Sequence, residues 1–149
     1  MIKIGSHVSN NGLTMLVGSV EEAISYNANC FMVYMGAPQN TFRKSLKDQN
    51  GEKALELCKQ YGINKEDIIV HAPYVVNLAN PSIEKREFSI DFLTKELIMV
   101  ASLGLKYMVL HPGAHVGQGE KIGIQYISEG INKILANPLT KDTVILLEG

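Results

Sequence analysis

Three short apolar runs recur along this chain at the spacing of a strand–helix–strand unit, and each ends on a side chain able to bind a metal. They are Ile68-Ile69-Val70-His71, Met108-Val109-Leu110-His111 and Val144-Ile145-Leu146-Leu147-Glu148. His111 follows His71 by 40 residues, and Glu148 follows His111 by 37. Each interval is about one βαβ crossover with its loops. Parallel strands joined in this way bring their C-terminal ends to one face, where barrel enzymes place their chemistry. Two imidazoles and a carboxylate gathered on that face form a donor set suited to zinc.

The rest of the chain keeps the same rhythm. Lys3 to Ser6 reads as a first strand, and the turn Asn10-Asn11-Gly12 leads into helical spacing from Leu13 to Tyr26. Cys30 to Met35 is a second strand, followed by the breaker-rich loop Gly36 to Thr41. Gly51 to Tyr61 is a short amphipathic helix with Gly62 at its C-terminal cap. A third strand ends at His71. After Asn80-Pro81, Ser82 can cap a long helix that carries Glu84 in its first turn and Gly104 beyond its end. A fourth strand ends at His111, a helix covers about Lys121 to Leu135, and a fifth strand ends at Glu148. Strict alternation predicts a parallel sheet. With 149 residues, against about 250 for a closed eight-stranded barrel, the length suits half a barrel or a small open α/β sheet. Gly117-Gln118-Gly119 is a lone GxG, read as a flexible loop and not as a phosphate cradle.

Composition narrows the partners. A net charge of −1 supplies no global positive field toward nucleic acid or a membrane, although a local groove can still be basic. Cys30 and Cys58 form no CxxC pair and read as core residues in a reducing compartment. There is neither a signal-peptide pattern nor a membrane-length apolar run. The expectation is a cytoplasmic α/β protein.

Four segments carry a resemblance. Gly5-Ser6-His7-Val8-Ser9, Gly36-Ala37-Pro38-Gln39-Asn40-Thr41, His71-Ala72-Pro73-Tyr74 with Asn77-Leu78, and Leu110-His111-Pro112-Gly113-Ala114-His115 resemble the endonuclease IV family, in its order and spacing. Members are zinc-dependent nucleases of base-excision repair that cut double-stranded DNA on the 5′ side of abasic sites and leave a 3′-hydroxyl. The resemblance implies a partial TIM (β/α)8 barrel of about five parallel strands and four helices, truncated after strand five. Residues 1–149 would be the N-terminal part of a single barrel domain. It implies that His71 and His111 bind one zinc of a three-zinc cluster, and that Glu148 is both a metal ligand and a catalytic residue bridging to a second zinc. This chain would hold three of nine ligands and complete at most one partial site, so by itself it is expected to be inactive. The complete protein is expected to be a monomer, and the chain alone to self-associate through open strand edges.

DNA contacts are expected from Gln39, Asn40, Phe42 and Arg43, a ring and amides beside cations that suit a distorted minor groove. Some family members have an arginine in place of Asn40. Tyr74 matches a family tyrosine that wedges the duplex at the lesion, against the plainer expectation of a buried tyrosine. His7 is expected to support the ligands or to face DNA, and His115 to be a loop residue bonded to backbone or supporting a ligand. The alternative reading is a metal-dependent sugar isomerase or epimerase on a similar barrel, which also uses His and Glu at strand ends. The basic, amide-rich loop after the second strand speaks against it.

Overall fold

A computed structural model describes every residue from Met1 to Gly149. Its elements alternate strictly: β1 (Gly5–His7), α1 (Leu16–Ser25), β2 (Cys30–Val33), α2 (Gly51–Gln60), β3 (Ile68–His71), α3 (Ile83–Ser102), β4 (Tyr107–Leu110), α4 (Glu120–Leu135) and β5 (Val144–Leu147). Short 3₁₀ turns precede α2, β3 and β5. All four strand pairings are parallel, and the strands lie in sequence order β1-β2-β3-β4-β5. Every crossover therefore steps one strand in the same direction. A doubly wound sheet would reverse its order part-way; this sheet does not, and its winding is that of a barrel.

Side-chain alternation explains which residues reach which layer. Phe31, Val33 and Met35 on and beyond β2, Ile68, Val70 and Ala72 on and just beyond β3, and Met108 and Leu110 on β4 are buried. They form one apolar cluster with Val20 of α1, Cys58 of α2, Leu93 and Leu97 of α3, and Ile134 of α4. The opposite parity lies on the barrel-axis face. The ladder aligns Met32 with Ile69, Ile69 with Tyr107, and Tyr107 with Val144. Continued to the strand ends, this parity selects His7, Tyr34, His71, His111 and Glu148.

Local chemistry moved several boundaries. β1 starts at Gly5 because the Asn29 side chain takes the backbone positions a ladder would otherwise fill. Its Oδ1 accepts the Ile4 N–H at 2.7 Å, and its Nδ2 donates to the Ile2 carbonyl at 2.9 Å. α1 begins at Leu16 and not at Leu13, because Met15 takes a left-handed φ of 48°. α3 opens as read: the Ser82 Oγ accepts the Lys85 N–H, and Glu84 sits in the first turn. Gly62 and Gly104, both with φ of 76°, terminate α2 and α3 as expected of C-terminal glycines.

Candidate metal centre

His71, His111 and Glu148 come together. One donor atom from each lies within 4.8 Å of the others. His71 ends β3, while His111 and Glu148 stand one residue past β4 and β5 on the same parity. The Glu148 N–H donates to the Leu110 carbonyl at 3.0 Å, which extends the ladder and holds the carboxylate beside His111. Glu148 Oε2 lies 3.0 Å from His71 Nε2 and 3.4 Å from His111 Nε2.

The two ring nitrogens of His71 face different partners. His71 Nδ1 lies 2.7 Å from the Ala72 carbonyl oxygen, which can only accept, so Nδ1 carries the hydrogen. In the neutral ring Nε2 is then a bare lone pair, and it points at an anionic oxygen. Two acceptors at 3.0 Å repel unless a proton or a cation lies between them. Zinc at about 2.0–2.2 Å from nitrogen and oxygen ligands would space neighbouring ligands at about 3.3–3.6 Å around a tetrahedron. The carboxylate lies 3.4 Å from His111, inside that range, and 3.0 Å from His71, somewhat below it. A backbone carbonyl orienting the distal histidine nitrogen is the usual arrangement around a ligating imidazole. Burial is graded as well, with His71 enclosed and the side chains of His111 and Glu148 about half exposed. The residues therefore fit a metal ion open on one side.

The row of rim residues continues past the triad. The His111 and His71 ring centroids are 5.1 Å apart, His71 and Tyr34 5.3 Å, and Tyr34 and His7 4.5 Å. His7 thus reaches the same face without joining the donor cluster. Its imidazole is held below the ordinary value, first by partial burial against its neighbours and then by the charge of His71; Glu22 opposes both. Tyr34 was missed in the sequence, although the alternation of β2 would have found it two residues beyond Met32. His115 belongs to the loop after β4, where Nδ1 accepts the N–H groups of Gly117 and Gly119, each at 3.2 Å.

The loop after β2 departs from expectation in one respect. Gln39, Asn40 and Phe42 are exposed, and the Asn40 side chain accepts the Phe42 N–H at 3.0 Å. Arg43 is turned inward. Its Nε pairs with Glu96 of α3 at 2.8 Å, with side-chain exposures of only 9% and 2%, and Nη1 donates to the carbonyls of Ala37, Asn40 and Phe42. The expected DNA contact at Arg43 is therefore corrected to a structural role, because its guanidinium is the hub around which the loop is wound. A side chain at Gly36 would strike this guanidinium. Burial raises the Glu96 carboxyl above its ordinary value, and Arg43 offsets that only partly. Beneath the loop, fully buried Gln49 donates to the carbonyls of Met35 and Lys44 and accepts from Asn10. Neither Gln49 nor Glu96 stood out in the sequence, since a polar residue in the turn before α2 or on the face of α3 normally reads as solvated. Tyr74 is 62% exposed, which removes the expectation of a buried tyrosine.

The profile of the xylose isomerase-like TIM barrels matches residues 20–148. The chain belongs to that family. Among curated proteins it is similar to "Probable endonuclease 4" of Acholeplasma laidlawii, 49% identical over 148 residues, covering 99% of this chain and 50% of that protein. The protein of the same name from Oceanobacillus iheyensis is 52% identical, over 91% of this chain and 45% of the relative. Among solved structures, endonuclease IV from Thermus thermophilus superposes with a TM-score of 0.83 at 28% identity, covering 99% of this chain and 52% of that one. A D-tagatose 3-epimerase-like protein, at 19% identity and a TM-score of 0.67, shares the barrel fold. The endonuclease IV resemblance read from the motifs and the partial-barrel fold are both borne out. The chain spans about half the length of the curated relatives it matches. No helix is long and apolar enough to cross a membrane.

Proposed function

We propose that this chain is the N-terminal part of a single (β/α)8 domain whose activity is zinc-dependent hydrolysis of DNA on the 5′ side of abasic sites. The observation that carries this reading is the His71–His111–Glu148 cluster at the strand C-termini, with His71 Nε2 and a Glu148 carboxylate oxygen 3.0 Å apart. His71 and His111 would hold the metal through Nε2, and Glu148 through its carboxylate. When bound there, zinc would supply Lewis acidity for activating water and stabilising charge on a phosphoryl group. His71 is kept in the ligating tautomer by the Ala72 carbonyl. The β4–β5 ladder holds Glu148 against His111, so the half-exposed side of the cluster stays open to substrate.

Gln39, Asn40, Phe42 and Tyr74 would meet the duplex, since each stands exposed on a rim loop. Phe42 and Tyr74 offer planar apolar wedges beside an abasic gap. Arg43 and Glu96 would act from below by fixing the shape of the loop after β2. His7 lines an open cleft with Asn10, Tyr34 and Gln39, next to the triad, where a phosphate or sugar could lie. The similarity to endonuclease 4 proteins near 50% identity supports nuclease chemistry over sugar isomerisation, because the epimerase-like neighbours share the fold at 19% identity or less.

The test is incision of a duplex carrying one abasic site by the complete protein that contains this chain. Cleavage 5′ to the lesion that is lost with a zinc chelator and with Glu148→Ala supports the assignment. A folded, zinc-loaded protein that leaves the duplex intact would refute it.

A further inference from the structure

The loops after β3 and β4 carry His71 and His111 at their starts, and a single side chain sews them together. Asn77 Oδ1 accepts the Ala79 N–H at 2.9 Å within its own loop and the Ala114 N–H at 3.0 Å across the gap. Asn77 Nδ2 donates to the Ala114 carbonyl at 2.9 Å. The carboxamide thus satisfies both polar groups of one residue in the neighbouring loop, as a strand would. Gly113 makes room for it: its φ is 131°, and a side chain there would collide with the Asn77 oxygen. The Asn77 N–H is itself directed at Ser89 of α3, whose hydroxyl donates to the Lys85 carbonyl. Gln118 adds a second stitch, donating to the Ala79 and His115 carbonyls.

We propose that Asn77 is a positioning residue for the metal centre, setting the distance between His71 and His111 by pinning Ala114 to the loop that follows His71. The role rests on the reading of the triad as a metal site. It follows from leverage: Ala114 is three residues beyond His111, and Asn77 six beyond His71. β4 pairs with β3 only as far as His71↔Val109 and Ala72 N–H to Val109 carbonyl. Past that point the Asn77 carboxamide, nearest the ligands, and the Gln118 bond to the Ala79 carbonyl cross-link the two ligand-bearing segments. His111 is half exposed, and its ring meets only the His71 ring and the Glu148 carboxylate among the rim side chains described above.

The experiment measures Zn²⁺ affinity by competition with a chromophoric chelator, alongside amide hydrogen exchange. Asn77→Ala is expected to bind zinc roughly ten-fold or more weakly, the scale seen when groups supporting metal ligands are removed. Exchange at the Ala79 and Ala114 amides should accelerate, while the amides of β2 and β3 stay protected and report an intact fold. Asn77→Asp keeps both accepted N–H groups but faces the Ala114 carbonyl with an anion, so its affinity should fall between those of the parent and Asn77→Ala. Gly113→Ala, which expels the carboxamide without touching it chemically, should reproduce Asn77→Ala. Unchanged zinc affinity in both Asn77→Ala and Gly113→Ala would overturn the proposal. If the parent chain takes up no zinc, the metal-centre reading fails first and the positioning role falls with it.

Discussion

Replacing Arg43 with leucine should destabilise the chain in a way that depends on pH, and the structure sets both size and sign. The Arg43–Glu96 pair is nearly dry and is joined by one contact, Nε to Oε1 at 2.8 Å; Arg43 Nη2 and Glu96 Oε2 have no partner. Removing one member of a buried pair costs about 3–5 kcal/mol, because the other is left charged without compensation. The three carbonyls that Arg43 also serves add little, since those of Asn40 and Phe42 are reached by solvent. The Glu96 pKa already stands above its ordinary value through burial, with Arg43 pulling it down. An acid with a raised folded pKa binds protons more tightly when folded. Its ionisation therefore lowers stability as pH rises from the unfolded to the folded pKa, and acid restores it. Taking Arg43 away moves the folded pKa further up and widens that window toward neutrality. Urea denaturation of Arg43→Leu should show its largest loss near about pH 8 and a clearly smaller one near about pH 5. Arg43→Leu/Glu96→Leu should recover most of the loss, since a buried pair replaced by apolar groups is often close to neutral. A pH-independent loss, or one below about 1 kcal/mol, would refute the account of the pair as a buried, poorly compensated latch.

His111→Ala and Glu148→Ala are each expected to lower bound zinc, measured by metal analysis after gel filtration; unchanged content in both would remove the triad as the ligand set. Gly5→Ala should destabilise by about 1–3 kcal/mol in urea titrations, because its methyl would enter the backbone carbonyl of Cys30 in the neighbouring strand and force β1 from β2. Cys58, fully buried and with its thiol pushed up to about 11, should resist alkylation in the native state while half-buried Cys30 reacts. Equal rates by mass spectrometry would show that α2 opens readily. β1 and β5 each pair on one side only, and Leu147 is exposed on β5, so sedimentation at high concentration should show association. A clean monomer would argue that these edges are protected.

The elements that were legible in the sequence were those in which one local signal sufficed. Ser82 at the head of α3, and Gly62 and Gly104 behind α2 and α3, announce helix ends by chemistry that acts within a few residues. That His71, His111 and Glu148 come together was legible for a related reason, since a residue at the end of a strand is carried to the rim by topology whatever the loops do. What escaped were residues whose role depends on a partner far along the chain. Glu96 lies 53 residues from Arg43, and Asn77 reaches Ala114 across 37. Arg43 was misjudged for the same reason. A cation in an amide-rich loop reads as a contact for phosphate, and only the buried carboxylate arriving from α3 turns it inward.

Two kinds of residue consequently stand at this rim, and they make different demands on the fold. The row His7, Tyr34, His71, His111 and Glu148 follows from strand parity alone: register places each beside the next, and a slip of one residue would turn the whole row into the helix layer. Each loop must then be held separately, because parity ends with its strand. Gln49 and the Arg43–Glu96 pair hold the loop after β2, Asn77 ties the loops after β3 and β4, and His115 gathers the backbone of the glycine-rich turn. Every one of these fasteners is a polar side chain bonded to backbone or to an opposite charge, and none donates to the triad. The triad is thus held on strand ends, while the loops proposed to face DNA are shaped by side-chain hydrogen bonds to backbone and by the Arg43–Glu96 pair. Mutating a fastener should therefore alter what the rim recognises before it alters which ligands the triad presents, except at Asn77, where loop and ligand are joined.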